Sequence, residues 1–194
     1  MVMAKKQEFR PDKPSSTLLS RLMLTPKQQR TLFKWVFYGL LLVVLSVIQD
    51  VMLSRVRLLG ATTELVPCAI FLICLIEGSH SGSIFSLVAG LIYLFSGTAP
   101  GTYSMVAIVY LSIGACILRQ ALLQENFFSV LLCTTAAMVL YVLTNFAFGL
   151  FLGLTPLRRI FGFLITAGLT LPTVPICYPI VKAINAFGGK SWKE

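Results

Sequence analysis

Charged residues and histidine are scarce in this chain, and their scarcity excludes most classes of soluble protein. Only 12% of the 194 residues are charged, while 57% are hydrophobic. Soluble domains carry about 25% charged residues and about 45–50% apolar residues. This composition therefore excludes both a water-soluble globular domain and a disordered chain. It is typical of an integral membrane protein.

Residues that carry catalysis or bind metals are also few. His80 is the single histidine, and the five cysteines form no C-x-x-C pair. Because the cysteines lie in apolar runs, we expect buried thiols rather than a disulfide framework or a zinc or iron site. The run Gly78-Ser79-His80-Ser81-Gly82 has His80 where a G-x-S-x-G motif has its serine, and the chain has no Gly-rich phosphate loop. We expect a protein that is not an enzyme and that binds no cofactor.

The basic residues are concentrated at the start of the chain. Eight of the 16 lysines and arginines lie in the first 34 positions, before the first apolar run. This arrangement is typical of a cytoplasmic segment that lies beside a membrane span at an anionic membrane surface. Because the membrane accounts for the positive charge, we expect no nucleic acid partner. The pattern predicts a basic cytoplasmic segment over 1–34, a transmembrane domain over 35–184 and a cytoplasmic tail over 185–194.

Six transmembrane helices fit the apolar runs. They cover about 35–53, 62–77, 79–96, 103–118, 127–152 and 160–184. A single helix over 65–95 would be about 46 Å long, whereas the hydrocarbon core is about 30 Å thick, so we expect a tight turn within 77–82. Pro172, Pro175 and Pro179 predict that the last helix is kinked or partly unwound.

The distribution of basic residues favours this count of spans. Six spans place twelve basic residues on the cytoplasmic side and four outside, whereas one span over 65–95 gives ten and six. Cytoplasmic loops carry the excess of lysine and arginine in membrane proteins. The sequence therefore predicts an all-α membrane protein with six transmembrane helices and both termini in the cytoplasm.

Small residues at a spacing of four form the first candidate contact surface. The residues with this spacing are Gly78, Gly82, Ser86 and Gly90 in the third span, and Gly149 and Gly153 at the end of the fifth. Small residues allow two helix backbones to approach closely in a membrane. The neighbour is either another span of the same chain or the transmembrane helix of a partner.

Charged residues at the predicted outer side form the second candidate contact surface. They are Asp50, Arg55, Arg57, Arg158 and Arg159. We expect either polar contacts with a partner's extracytoplasmic part or solvated loops at these positions. No ionisable residue lies at the centre of a predicted span, where a proton or ion carrier needs one. Asp50 and Glu77 lie about one helical turn or less inside a span end and are the nearest candidates for a proton or ion carrier. The alternative is that they are interfacial charges that face water or pair with a nearby arginine.

Four short motifs lie at the ends of the first two predicted spans and along the third. They are Ile48-Gln49-Asp50, Glu64-Leu65-Val66-Pro67, Ile76-Glu77-Gly78, and Gly82 followed by Ser86-Leu87-Val88-Ala89-Gly90-Leu91. Over about residues 35–150 this pattern resembles the MreD family, small multispan proteins of the bacterial rod-shape system. Ser86 replaces the middle glycine of the family pattern, and the acidic residue that many relatives carry after Leu91 is absent.

The resemblance implies a non-enzymatic component of the bacterial cytoplasmic (inner) membrane. MreD-like proteins act with the single-span protein MreC and with other membrane proteins of the cell-wall elongation machinery. We therefore expect a scaffold that docks partner membrane proteins within the lipid bilayer. The family's fold is similar to the substrate-binding subunit of energy-coupling-factor vitamin transporters, which gives an alternative function. Such subunits often carry an A-x-x-x-A pattern in span one, whereas this span is bulky apart from Gly39, which disfavours the alternative.

Overall fold

The computed structural model describes residues 26–53, 63–97, 99–122 and 127–187, and these residues form helices without any strand. Most of the expected cytoplasmic tail and most of the expected basic segment lie outside these ranges, while residues 185–187 continue α7 and residues 26–34 begin α1. The helices are α1 (Pro26–Ile48), α2 (Leu65–Glu77), α3 (Ser79–Phe95), α4 (Thr102–Leu122), α5 (Phe127–Phe151), α6 (Ile160–Thr170) and α7 (Thr173–Phe187). A π-helical turn, Gln49–Leu53, extends α1, and a 3₁₀ turn, Leu157–Arg159, precedes α6.

The short helix α2 is the centre of the fold. All of its residues from Leu65 to Ile76 are buried. It packs against α1, α3, α4, α5 and α7. A helix that is apolar on every side is typically buried, and here the neighbouring helices enclose α2. Pro67 is tolerated because it lies in the first turn, where a backbone N–H has no partner within the helix.

A single residue separates α2 from α3. Gly78 has φ of +90°, a backbone conformation that residues other than glycine rarely adopt. Its N–H still bonds to the carbonyl of Cys74, and its own carbonyl accepts from Gly82 N–H. The chain therefore forms two helices over 65–95 with a tight turn between them, as predicted.

The last apolar run is bent. Segments Leu157–Thr170 and Thr173–Phe187 meet at 44°. Pro172 lies in the break, and its missing N–H removes a helical hydrogen bond at this point. The prediction of a kinked last helix is confirmed.

Within the described ranges, three helices are long and apolar enough to cross a membrane. These segments are Gln29–Val51, Thr102–Arg119 and Phe127–Phe151, and the bent pair would add a fourth. Helices α2 and α3 are apolar but shorter. The helical class and several membrane-compatible helices are thus established, while a count of six depends on whether α2 and α3 also cross.

Candidate functional site: the polar ends of the central helix

An ion pair holds the C-terminal end of α2 against α1. Lys34 Nζ lies 2.6 Å from Glu77 Oε2, with the two side chains 5% and 2% exposed. The Tyr38 hydroxyl donates to Glu77 Oε1 at 2.7 Å. A helix C-terminus carries a partial negative charge, so a carboxylate there needs a cation nearby. Lys34 supplies that cation.

A cluster of aromatic rings adjoins this ion pair through Tyr38, which bonds to Glu77. Trp35, Tyr38 and Phe85 lie with their ring centroids 5.6–5.9 Å apart. Because both charged side chains are shielded from water, the attraction between the two charges is stronger than at the protein surface. The sequence pointed to Glu77 as an interfacial charge paired with an arginine or facing water, and the structure instead pairs it with Lys34 in a buried site.

A glutamine side chain anchors the other end of α2. Gln49 Oε1 accepts a hydrogen bond from Val66 N–H at 3.0 Å. This N–H belongs to the first turn of α2, where it has no acceptor within the helix. Gln49 is buried, while its neighbour Asp50 is exposed. The contact joins the end of α1 to the start of α2.

Several buried polar atoms surround the start of α2. Glu64 N–H donates to Thr170 Oγ1 at 3.3 Å, and the Thr170 hydroxyl donates to the carbonyl of Thr166. Glu64 Oε2 and Asn145 Oδ1 are buried with no hydrogen-bond partner among the described residues, while the Asn145 and Tyr93 side chains lie within hydrogen-bonding reach of the Tyr141 hydroxyl. The Glu64 carboxylate is also an electrostatic neighbour of the Tyr141 hydroxyl. Buried polar atoms without partners are uncommon and mark places where water or a ligand binds.

The glycines of α3 face other helices of the same chain. A Cβ atom on Gly82 would lie 2.6 Å from the Cys74 carbonyl oxygen of α2, and one on Gly90 would lie 3.3 Å from Met105 Cγ of α4. Ser86 is fully buried between them. At these positions the packing is within the chain, which is one of the two interpretations that the spacing allows.

The second pair of glycines ends α5. The Gly149 carbonyl accepts hydrogen bonds from Leu154 N–H and Thr155 N–H, and Gly153 has φ of +70°. An added Cβ on Gly149 would lie 2.7 Å from Thr155 Oγ1. Carbonyls at a helix end are commonly satisfied by such a left-handed turn. The spacing of four thus reflects helix termination here.

The predicted outer charges fall in two places. Arg158 and Arg159 lie exposed in the 3₁₀ turn before α6. Asp50 lies exposed in the π-helical turn after α1. Arg55 and Arg57 lie outside the described residues.

The cysteines are all buried as free thiols. Cys74 Sγ and Cys116 Sγ approach to 3.1 Å, a contact between α2 and α4 that the sequence did not predict. Within the described ranges, no group of three or more His, Cys, Asp and Glu residues is placed to hold a metal ion. His80 is exposed at the start of α3.

Comparisons with protein-family models, curated proteins and solved structures give no match to this chain.

Proposed function

We propose that the chain is a non-enzymatic scaffold of the MreD type in the bacterial cytoplasmic membrane. The motifs that carry the resemblance meet around α2, which supports this proposal. Gln49 of the first motif contacts Val66 of the second. Glu77 and Gly78 of the third motif end the helix, and Gly82 lies against its last turn. Motifs that are separate in sequence thus form one structural unit.

The proposed topology has six spans and two cytoplasmic termini. Helix α2 runs antiparallel to α1, since its end contacts Lys34 and its start contacts Gln49. The α1 segment between these two residues rises about 22 Å at 1.5 Å per residue. This depth is most of the hydrocarbon core, which supports a membrane crossing by α2 despite its 13 residues. Helix α3 then returns beside it.

The loop after α5 is the proposed docking surface for a partner. Arg158 and Arg159 are exposed, and no carboxylate pairs with either among the described residues. Phe151, Leu154 and Leu157 expose 66–90% of their surface in the same region. This combination, the observation that carries the docking proposal, suits a partner with an acidic juxtamembrane segment and an apolar helix.

The test is co-purification with an MreC-like single-span protein expressed in the same cells. We expect Arg158→Glu to retain about tenfold less partner in mild detergent, because like charges across an interface are strongly unfavourable. Lys182→Glu is the matched control, since Lys182 is exposed on α7 and outside this loop. Equal partner retention by both variants would contradict the proposed surface.

One observation favours the second candidate, a substrate-binding subunit of a vitamin transporter. Glu64 and Asn145 offer buried oxygen atoms that have no partner in the described part of the chain, close to the Tyr141 hydroxyl, as a site for a small polar ligand does. Small molecules extracted from the purified protein would be identified by mass spectrometry. The candidate requires a bound molecule that Tyr141→Phe and Asn145→Leu lose, together with co-purifying ATPase subunits. Co-purification of an MreC-like protein without such a molecule supports the scaffold.

A further inference from the structure

A cavity of about 350 Å³ lies between the first turns of α1 and the end of α7. Its lining comes from two helices that are far apart in sequence. The lining residues are Arg30, Phe33, Lys34, Phe37, Ile184 and Phe187. We refer to this cavity as the α1–α7 groove.

The α1–α7 groove has apolar walls and a cationic end. Phe33, Phe37 and Phe187 remain 48–79% exposed, so the groove opens on the outer surface of the bundle. The charge of Lys34 is compensated by Glu77. Arg30 is exposed, and no carboxylate among the described residues pairs with it. One uncompensated guanidinium thus lies beside an aromatic wall.

In the membrane topology proposed above, on which this inference rests, the groove lies where the membrane changes from headgroups to acyl chains. The apolar segment of α1 begins at Gln29, so Arg30 stands at the boundary. Phe33 and Phe37 follow about 4.5 and 10 Å deeper at 1.5 Å per residue. Arginine at such a boundary binds phosphate through a planar fork of N–H donors. The order of groups therefore matches a molecule with an anionic head and an apolar tail.

We propose that the α1–α7 groove binds an anionic phospholipid from the leaflet on the N-terminal side of the bundle. Its phosphate lies at Arg30, and an acyl chain packs along Phe33, Phe37 and Phe187. Charge complementarity selects this occupant over the chain's own residues 1–25. That segment carries five basic residues against Glu8 and Asp12, so it would add positive charge beside Arg30. A second copy of the chain would carry the same positive charge at this place, so it is not complementary to Arg30 either.

The test measures lipid binding by the purified full-length chain in mild detergent. Native mass spectrometry counts bound phosphatidylglycerol or phosphatidylcholine with identical acyl chains. We expect tighter binding of phosphatidylglycerol by the wild type. Arg30→Gln should weaken phosphatidylglycerol binding about fivefold, the effect of one basic residue near anionic headgroups, and leave phosphatidylcholine binding unchanged. Phe37→Ala should weaken binding of both lipids.

Lys182→Gln is the matched control, because it removes one positive charge from an exposed position on α7 that does not line the groove. It should bind both lipids as the wild type does. Equal affinity of the wild type for the two lipids would overturn the proposal. So would equal effects of Arg30→Gln and Lys182→Gln, the result expected if residues 1–25, a second copy or a partner protein fills the groove.

Discussion

Lys34 and Glu77 form an ion pair of 2.6 Å between the start of α1 and the end of α2, almost completely shielded from solvent. Removing two charges from water is costly, and their attraction offsets the cost only when other groups complete the site. Tyr38 does so by donating to the second carboxylate oxygen. The pair therefore fixes how the central helix meets α1, and it depends on both partners being present.

Removing one partner of this pair should destabilise the protein strongly. We expect Lys34→Met to lower the free energy of unfolding by about 3–5 kcal/mol, because Glu77 would then be a buried charge without a cation. Replacing both residues by methionine should recover much of the loss. Denaturant unfolding in detergent measures the effect, with Lys182→Met as the exposed control. A double variant no more stable than Lys34→Met would argue against direct coupling.

Loss of the Tyr38 hydroxyl should have a smaller effect. Tyr38→Phe keeps the ring packed against Trp35 and Phe85 but removes the donor to Glu77. Hydrogen bonds to charged groups contribute about 1.5–3 kcal/mol, and we expect a destabilisation in this range. The same unfolding measurement on Tyr110→Phe, where the tyrosine is exposed, should show a change within about 0.5 kcal/mol. Similar values for the two variants would contradict the role of Tyr38.

The contact between α2 and α3 leaves no room for a side chain at Gly82. Gly82→Ala would place Cβ 2.6 Å from the Cys74 carbonyl oxygen and 2.9 Å from its Cα, so the backbone of α2 must move. We expect a destabilisation of about 1–3 kcal/mol, as for overpacked cores. Gly114 is the matched helical control, since nothing lies within 4 Å of an added Cβ there. Gly114→Ala should be neutral or stabilising by up to about 1 kcal/mol.

Local features of the fold were predictable from the sequence. Helix α5, at Phe127–Phe151, ends one residue before the predicted span, because an apolar run followed by Gly153 and Pro156 determines its limits. The turn at Gly78 and the bend at Pro172 follow from the conformational properties of glycine and proline. Each of these features depends on residues close together in the chain.

Contacts between distant helices were not predictable in the same way. Hydropathy gives the length of a span but not the neighbour that each of its faces meets. The sequence therefore indicates Glu77 as a candidate polar residue, whereas its partner Lys34 falls within the predicted basic segment. The spacing of Gly82 and Gly90 likewise indicated a smooth helix face without deciding whether its neighbour belonged to the same chain.

The six-span topology makes a specific prediction for the turn between α2 and α3. If both helices cross the membrane, His80 lies on the cytoplasmic side and Leu154 on the outer side. Both residues are exposed, which suits single-cysteine reporters. The five native cysteines are buried, so the wild-type chain should give little background labelling with a membrane-impermeant maleimide. We expect Leu154→Cys to be labelled in intact spheroplasts and His80→Cys only after permeabilisation. Labelling of His80→Cys in intact spheroplasts would mean that the α2–α3 turn faces outward, and the six-span topology would be wrong.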